Sequence, residues 1–138
     1  MLTVHEKYPT DEDITGMYAE AVMNLSPWNV FETVPGTDKD SARTVPPDVV
    51  MNDNSKRAFA ILSQALYPQA PLPLSIRAIN QMGTQSNSRS HPLLLHLWIH
   101  LLESGPPEYV QAAERQADLL LSVATEPTGK KLGHLLHM

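Results

Sequence analysis

The sequence predicts an all-α chain built of antiparallel helical hairpins. Four stretches repeat apolar residues at intervals of three and four, the helical period. The 12 prolines fall at the ends of those stretches or between them, where a fixed φ and a missing N–H open or stop a helix. No run alternates apolar and polar residues strongly enough to build a sheet.

Residues 10–25, TDEDITGMYAEAVMNL, open with capping residues and a carboxylate-rich first turn, which suits a helix N-terminus and its dipole. Ile14, Met17, Tyr18, Ala21 and Leu25 then supply the expected apolar face. Ser26-Pro27 stops this helix, and Trp28 and Phe31 are expected to fold back over its face as a large buried anchor. Residues 33–53 hold Pro35, Gly36, Pro46 and Pro47 among small polar residues, so they read as a mobile Pro-rich loop linking helices.

A second helix is expected over residues 54–67, where Ala58, Ile61, Leu62, Ala65 and Leu66 follow a capping Asp53 or Asn54, and Pro68 ends it. Residues 74–82 give two further turns, and residues 83–90, GTQSNSRS, read as a flexible polar loop open to nicking. Ser90-His91-Pro92 opens a third helix, with Ser90 or His91 as cap, and it runs to Gly105-Pro106-Pro107. A fourth runs from Pro107 to about Ala124, with Val110, Ala113, Ala117, Leu120 and Leu121 on its apolar side and Glu108, Glu114, Arg115 and Asp118 on its polar side. These two form the expected antiparallel hairpin, and the tail LGHLLHM reads as the first turns of another helix.

A chain of 138 residues supports one domain, taken as 1–138, with a core of its own. With no cysteine, disulfides, thiolate metal ligation, iron–sulfur clusters and a cysteine nucleophile are excluded. A formal charge of −5 argues against nucleic acid and anionic membrane as partners. The longest apolar stretch, residues 93–102, is about half of what a bilayer crossing needs. Glu6, Asp11, Glu12 and Asp13 near the start, with no apolar run behind a basic flank, do not read as a secretory signal, so a cytoplasmic location is expected. The acidic run 11–13 is most simply a solvated helix start. Thr128-Gly129-Lys130-Lys131 lacks the upstream glycine of a phosphate loop and reads as a basic turn.

Three segments carry a resemblance: AEAVMNLSPWN at residues 19–29, HPLLLHLWIHLLES at 91–104 and GHLLHM at 133–138. Together they resemble a family of tetratricopeptide-repeat-like (TPR-like) proteins of bacteria and fungi, in which the second motif usually reads His-Pro-Gly-Ala, then His, Ile-His and a Glu three places later. Leu93 and Leu94 stand here for Gly-Ala, Trp98 for a usual tyrosine, and the chain stops at Met138 before the family's Pro-Ser-His-Ile. The resemblance implies an α-α superhelix, of which this chain would be a partial, N-terminal piece of the solenoid. Glu20 and Asn24, four apart within the first motif, become candidates to face the same pocket as the histidines, together with Trp28, His91 and Trp98.

Five of the six histidines lie between positions 91 and 137. His96 and His100 are four apart and Glu103 is three further on, so one helix face carries all three. His134 and His137 would share a face if the tail is helical. Such histidine pairs with a carboxylate are what a divalent Zn, Cu or non-haem Fe site requires. Beside this stands a structural reading, in which His96 and His100 are partly buried imidazoles satisfied by Glu103, Asn24 or a backbone carbonyl, Glu20 faces solvent, and the tryptophans are core anchors. Metal-free acid–base chemistry is a further alternative. The functional expectation is therefore a protein-interaction module, binding a protein partner or itself, with a histidine-rich metal site. Its alternatives are a metal-dependent enzyme built on the His/Glu cluster and a truncated, inactive relative.

Overall fold

The computed structural model describes residues 1–34, 49–71, 73–82 and 91–124. The expected interior of the Pro-rich linker, the polar loop 83–90 and the histidine-bearing tail lie outside the described residues. The described residues form six helices and one short antiparallel strand pair, so the class is mainly α, as the expected helical character requires.

The first helix, α1 (Leu2–Lys7), buries none of its residues, which is why no apolar period announced it. A turn through Pro9 and Thr10 leads to α2 (Glu12–Met23), capped by Asp11, whose Oδ1 accepts from the Ile14 amide at 3.0 Å. The buried side of α2 is Thr15, Gly16, Tyr18, Ala19 and Val22, and not the expected Met17 and Leu25, which stand 45% and 65% exposed. Gly16 and Ala19 explain the rotation, because small residues let another helix come close, and a Cβ on Gly16 would already meet Leu93.

Beyond α2 the chain does not fold back as expected. Trp28 takes a positive φ of 67° and is fully exposed, so it is no buried anchor. Phe31 does pack, but its ring sets edge-on to Tyr109 at 5.1 Å, over Gly105, rather than on α2. Phe31–Thr33 (β1) pairs with Val49–Met51 (β2) in the register Phe31 to Met51 and Thr33 to Val49. The two ends of the expected loop are thus strands, of three residues each, too short for any alternation to register in the sequence.

Asn52 turns the chain from β2 into α3 (Asp53–Leu66). Its backbone N–H donates to Val30 O at 3.1 Å, its Nδ2 donates to Asn29 O, and its Oδ1 caps the helix by accepting from Ser55 N at 2.8 Å. Asn52 therefore takes the capping role expected of Asp53 or Asn54, while Asn54 bonds Ser26 Oγ at 2.7 Å. Ser26 follows the end of α2 and Asn54 opens α3, and Arg57 bonds the Tyr18 hydroxyl, so α2 and α3 run antiparallel.

After α4 (Ile76–Met82), the helices α5 (Pro92–Leu102) and α6 (Pro107–Ala124) pack along each other, joined by four residues, as the expected antiparallel hairpin. Asn80 of α4 donates to Glu108 O at 2.7 Å and receives Arg115, which holds α4 on α6. The centre of the fold is α5. Seven of its 11 residues are buried, because α2, α3 and α6 all pack against it. Trp98, with no exposed surface, lies between the rings of Phe59 at 5.1 Å and Tyr67 at 6.0 Å. Tyr67 accepts from Gln116 Nε2 at 2.6 Å, and burial raises its hydroxyl pKa above the ordinary tyrosine value.

Candidate functional site

Helical spacing brings His96 and His100 together as expected, with ring centroids 4.6 Å apart and planes nearly perpendicular. His96 is half-buried and His100 exposed. Glu103, just past the end of α5, takes one His100 nitrogen: its Oε1 lies 2.9 Å from Nδ1. Both partners of this pair are about half exposed, so it gains little from the protein's low dielectric. Among the described residues, no group of three or more His, Asp or Glu is arranged to hold a metal ion. His134 and His137, the remaining expected ligands, lie outside the described residues.

The other singled-out residues scatter. His91 occupies the N-cap position of α5 without a side-chain cap bond, and its Nε2 stands 3.3 Å from Asp13 Oδ1, tying the start of α5 to the first turn of α2. Glu20 and Asn24 are exposed, and Asn24 is the C-cap of α2. Trp98 belongs to the core, and Trp28 projects into solvent from the turn after α2.

Two surface features were not legible in the sequence. One is the turn itself, where the exposed Leu25 and Trp28 lie three residues apart and the exposed Val49 and Val50 follow on the neighbouring ladder. The other is a half-open cavity of about 260 Å³ where α1, the α1–α2 turn, the first turn of α2 and the last turns of α3 meet. Its walls include Pro9, Ile61, Ala65 and Pro68, and its polar lining is His5, Thr10, Glu12, Thr15 and Gln64. The His5 ring rests 4.9 Å from that of Tyr18, which fixes one side of the opening.

Comparison with protein-family models, with curated proteins and with solved structures gave no match.

Proposed function

We propose that this chain is a helical protein-interaction domain, a short stack of tetratricopeptide-like hairpins working in the cytoplasm, that grips a protein partner through the turn of Leu25 and Trp28. The carrying observation is Trp28, a fully exposed indole held at a φ of 67°. A left-handed conformation at a bulky residue costs on the order of 1–3 kcal/mol, and such strain concentrates where a side chain must be presented. Tryptophan is the residue most often found dominating the energy of protein contacts, and an exposed apolar patch around it favours a binding surface. The repeat-like reading is supported by the antiparallel α2–α3 and α5–α6 pairs, which stack through α5.

Replacement of Trp28 by a photo-crosslinking phenylalanine analogue in living host cells tests this reading. It expects one dominant crosslinked polypeptide, another protein or a second copy, whose purified form binds the wild-type chain and binds Trp28→Ala at least about tenfold more weakly. No crosslink, or equal binding by the variant, overturns it.

The adjacent imidazoles of His96 and His100 favour a second reading, a divalent metal held on α5 by these two side chains. Elemental analysis of the untagged protein decides it: stoichiometric Zn, Cu or Fe that is lost in a His96→Ala/His100→Ala double variant supports the site, and a metal-free folded protein removes it.

A further inference from the structure

We infer that the outer edge of β2 pairs with the same edge of a second copy of this chain, joining two molecules across a two-fold axis beside Val50 into one antiparallel sheet. Hydrogen-bonding parity, the side chains along the two edges and the spacing of charge each lead to this partner.

The register fixes which backbone groups are free. Asn52 N donates to Val30 O at 3.1 Å, so residues 30 and 52 are a hydrogen-bonded pair, and the alternation along an antiparallel ladder makes Glu32 and Val50 the next one. Phe31, Thr33, Val49 and Met51 therefore turn their N–H and C=O groups away from the ladder. Among the described residues, none of these outward groups takes another backbone partner, and β1 is the element that packs along β2. Val49-Val50-Met51 also lacks the proline or charge with which strand edges are commonly protected. An antiparallel copy that pairs Val49 with Met51 of the second molecule uses every outward group of β2, and each such pair exchanges both of its bonds.

The side chains select β2 over β1, and a closed dimer over an open chain. In that register Val50 stands opposite Val50 of the second molecule in a non-hydrogen-bonded pair, where Cα atoms lie about 4.5 Å apart and side chains approach most closely. Val49 and Val50 are both exposed in the single molecule. Val50 shares its face with Glu32, whereas Val49 lies on the other face, beside the buried Met51 of the second molecule, and extends the apolar side of the sheet. The same operation on β1 places Glu32 directly opposite Glu32, where like charges are destabilising. Joining β2 to β1 of the next molecule is a head-to-tail contact, which forms no two-fold dimer. Across the β2 seam the two Glu32 carboxylates are separated by three strand spacings, about 14 Å, beyond the Debye length of about 8 Å at physiological salt.

The seam is argued without Leu25 or Trp28, so it stands or falls separately from the surface proposed above. The experiment exploits a chain with no native cysteine. Val50→Cys places one thiol beside its two-fold mate at a Cα separation that admits a disulfide, and Met17→Cys, exposed on α2, is the control. Under mild oxidation Val50→Cys should form a disulfide-linked dimer at least about tenfold faster than Met17→Cys, and equally fast when Trp28→Ala is added. The wild-type chain in sedimentation equilibrium should pass from the monomer mass toward twice that mass with a dissociation constant on the order of 100 μM, as so small a seam allows. Val49→Pro removes an outward N–H and no bond to β1, so it should weaken the dimer at least about tenfold with the circular dichroism unchanged. Equal oxidation rates of the two cysteine variants, a wild-type chain that stays monomeric up to about 1 mM, dimerisation of Val49→Pro at wild-type strength, or loss of the Val50→Cys linkage on adding Trp28→Ala overturns the inference.

Discussion

Gly16 of α2 lies so close to Leu93 of α5 that a Cβ at position 16 would stand 2.6 Å from Leu93 Cδ2 and 2.9 Å from its Cγ. The approach of these two helices therefore depends on the absence of one methyl group. Alanine is favoured over glycine inside a helix by about 1 kcal/mol, but overpacking costs about 1–3 kcal/mol. Gly16→Ala in the wild-type chain should lower the thermal midpoint. In a Leu93→Ala background, where the obstructing side chain is gone, the same substitution should raise it, and a double-mutant cycle by denaturant unfolding checks the sign reversal.

Asn52 joins two pieces of chain, the start of α3 and residues 29–30: its side chain reaches Ser55 N and Asn29 O, and its own amide donates to Val30 O. Asn52→Ala should cost about 2 kcal/mol, at the upper end for a lost cap, because it also strips a partner from a part-buried carbonyl. Asp11→Ala, which removes an exposed cap only, should cost about 1 kcal/mol or less. Equal losses in urea unfolding would contradict the role given to the Asn29 contact.

The two tryptophans should behave as opposites. Trp98→Ala should cost about 3–5 kcal/mol, since it vacates the space between Phe59 and Tyr67. Trp28→Ala should leave stability unchanged or slightly raised, as it relieves no buried contact. Iodide should quench the emission of a Trp98→Phe chain strongly and that of a Trp28→Phe chain weakly.

Tyr67 imposes an alkaline limit. Burial raises its pKa above 10.0, outweighing the Gln116 hydrogen bond and the Arg115 charge. The folded state thus holds the proton more tightly than the unfolded state. The associated stability is fully present below pH 10 and is lost as pH rises from the unfolded value through the raised folded one. Denaturant unfolding at stepped alkaline pH should show this loss, and Tyr67→Phe should reduce its slope while lowering stability at neutral pH, where Gln116 is left without its acceptor.

The helical frame was largely legible because its punctuation is local. Pro92 and Pro107 stand at the first positions of α5 and α6, and Asp11 caps α2 within the expected start. What the sequence hid depended on contacts between distant segments. Residues 52–54, Asn-Asp-Asn, are three equally good caps in isolation, and Asn52 prevails because its amide also reaches Asn29. The apolar face of α2 was misplaced because Met17 and Leu25 outweigh Gly16 and Ala19 in hydrophobicity, whereas close approach to α5 rewards the smaller residues. The pairing of His96 with His100 followed from a spacing of four. The cavity beneath α1 did not, as its lining comes from three separate elements, none of which carries a motif.

The two antiparallel helix pairs differ in the length of chain that closes them. Four residues join α5 to α6, whereas 29 separate the end of α2 from the start of α3. Closing the longer connection costs about 1.8 kcal/mol more in chain entropy, on the logarithmic scaling of loop length. The α5–α6 hairpin is thus the piece of this topology whose contacts form at least cost, and it carries the apolar surface that α2 and α3 must find. Folding order follows from that asymmetry: the C-terminal hairpin nucleates, and the N-terminal pair condenses on it, so destabilising α5 slows folding while destabilising the α2–α3 junction chiefly hastens unfolding.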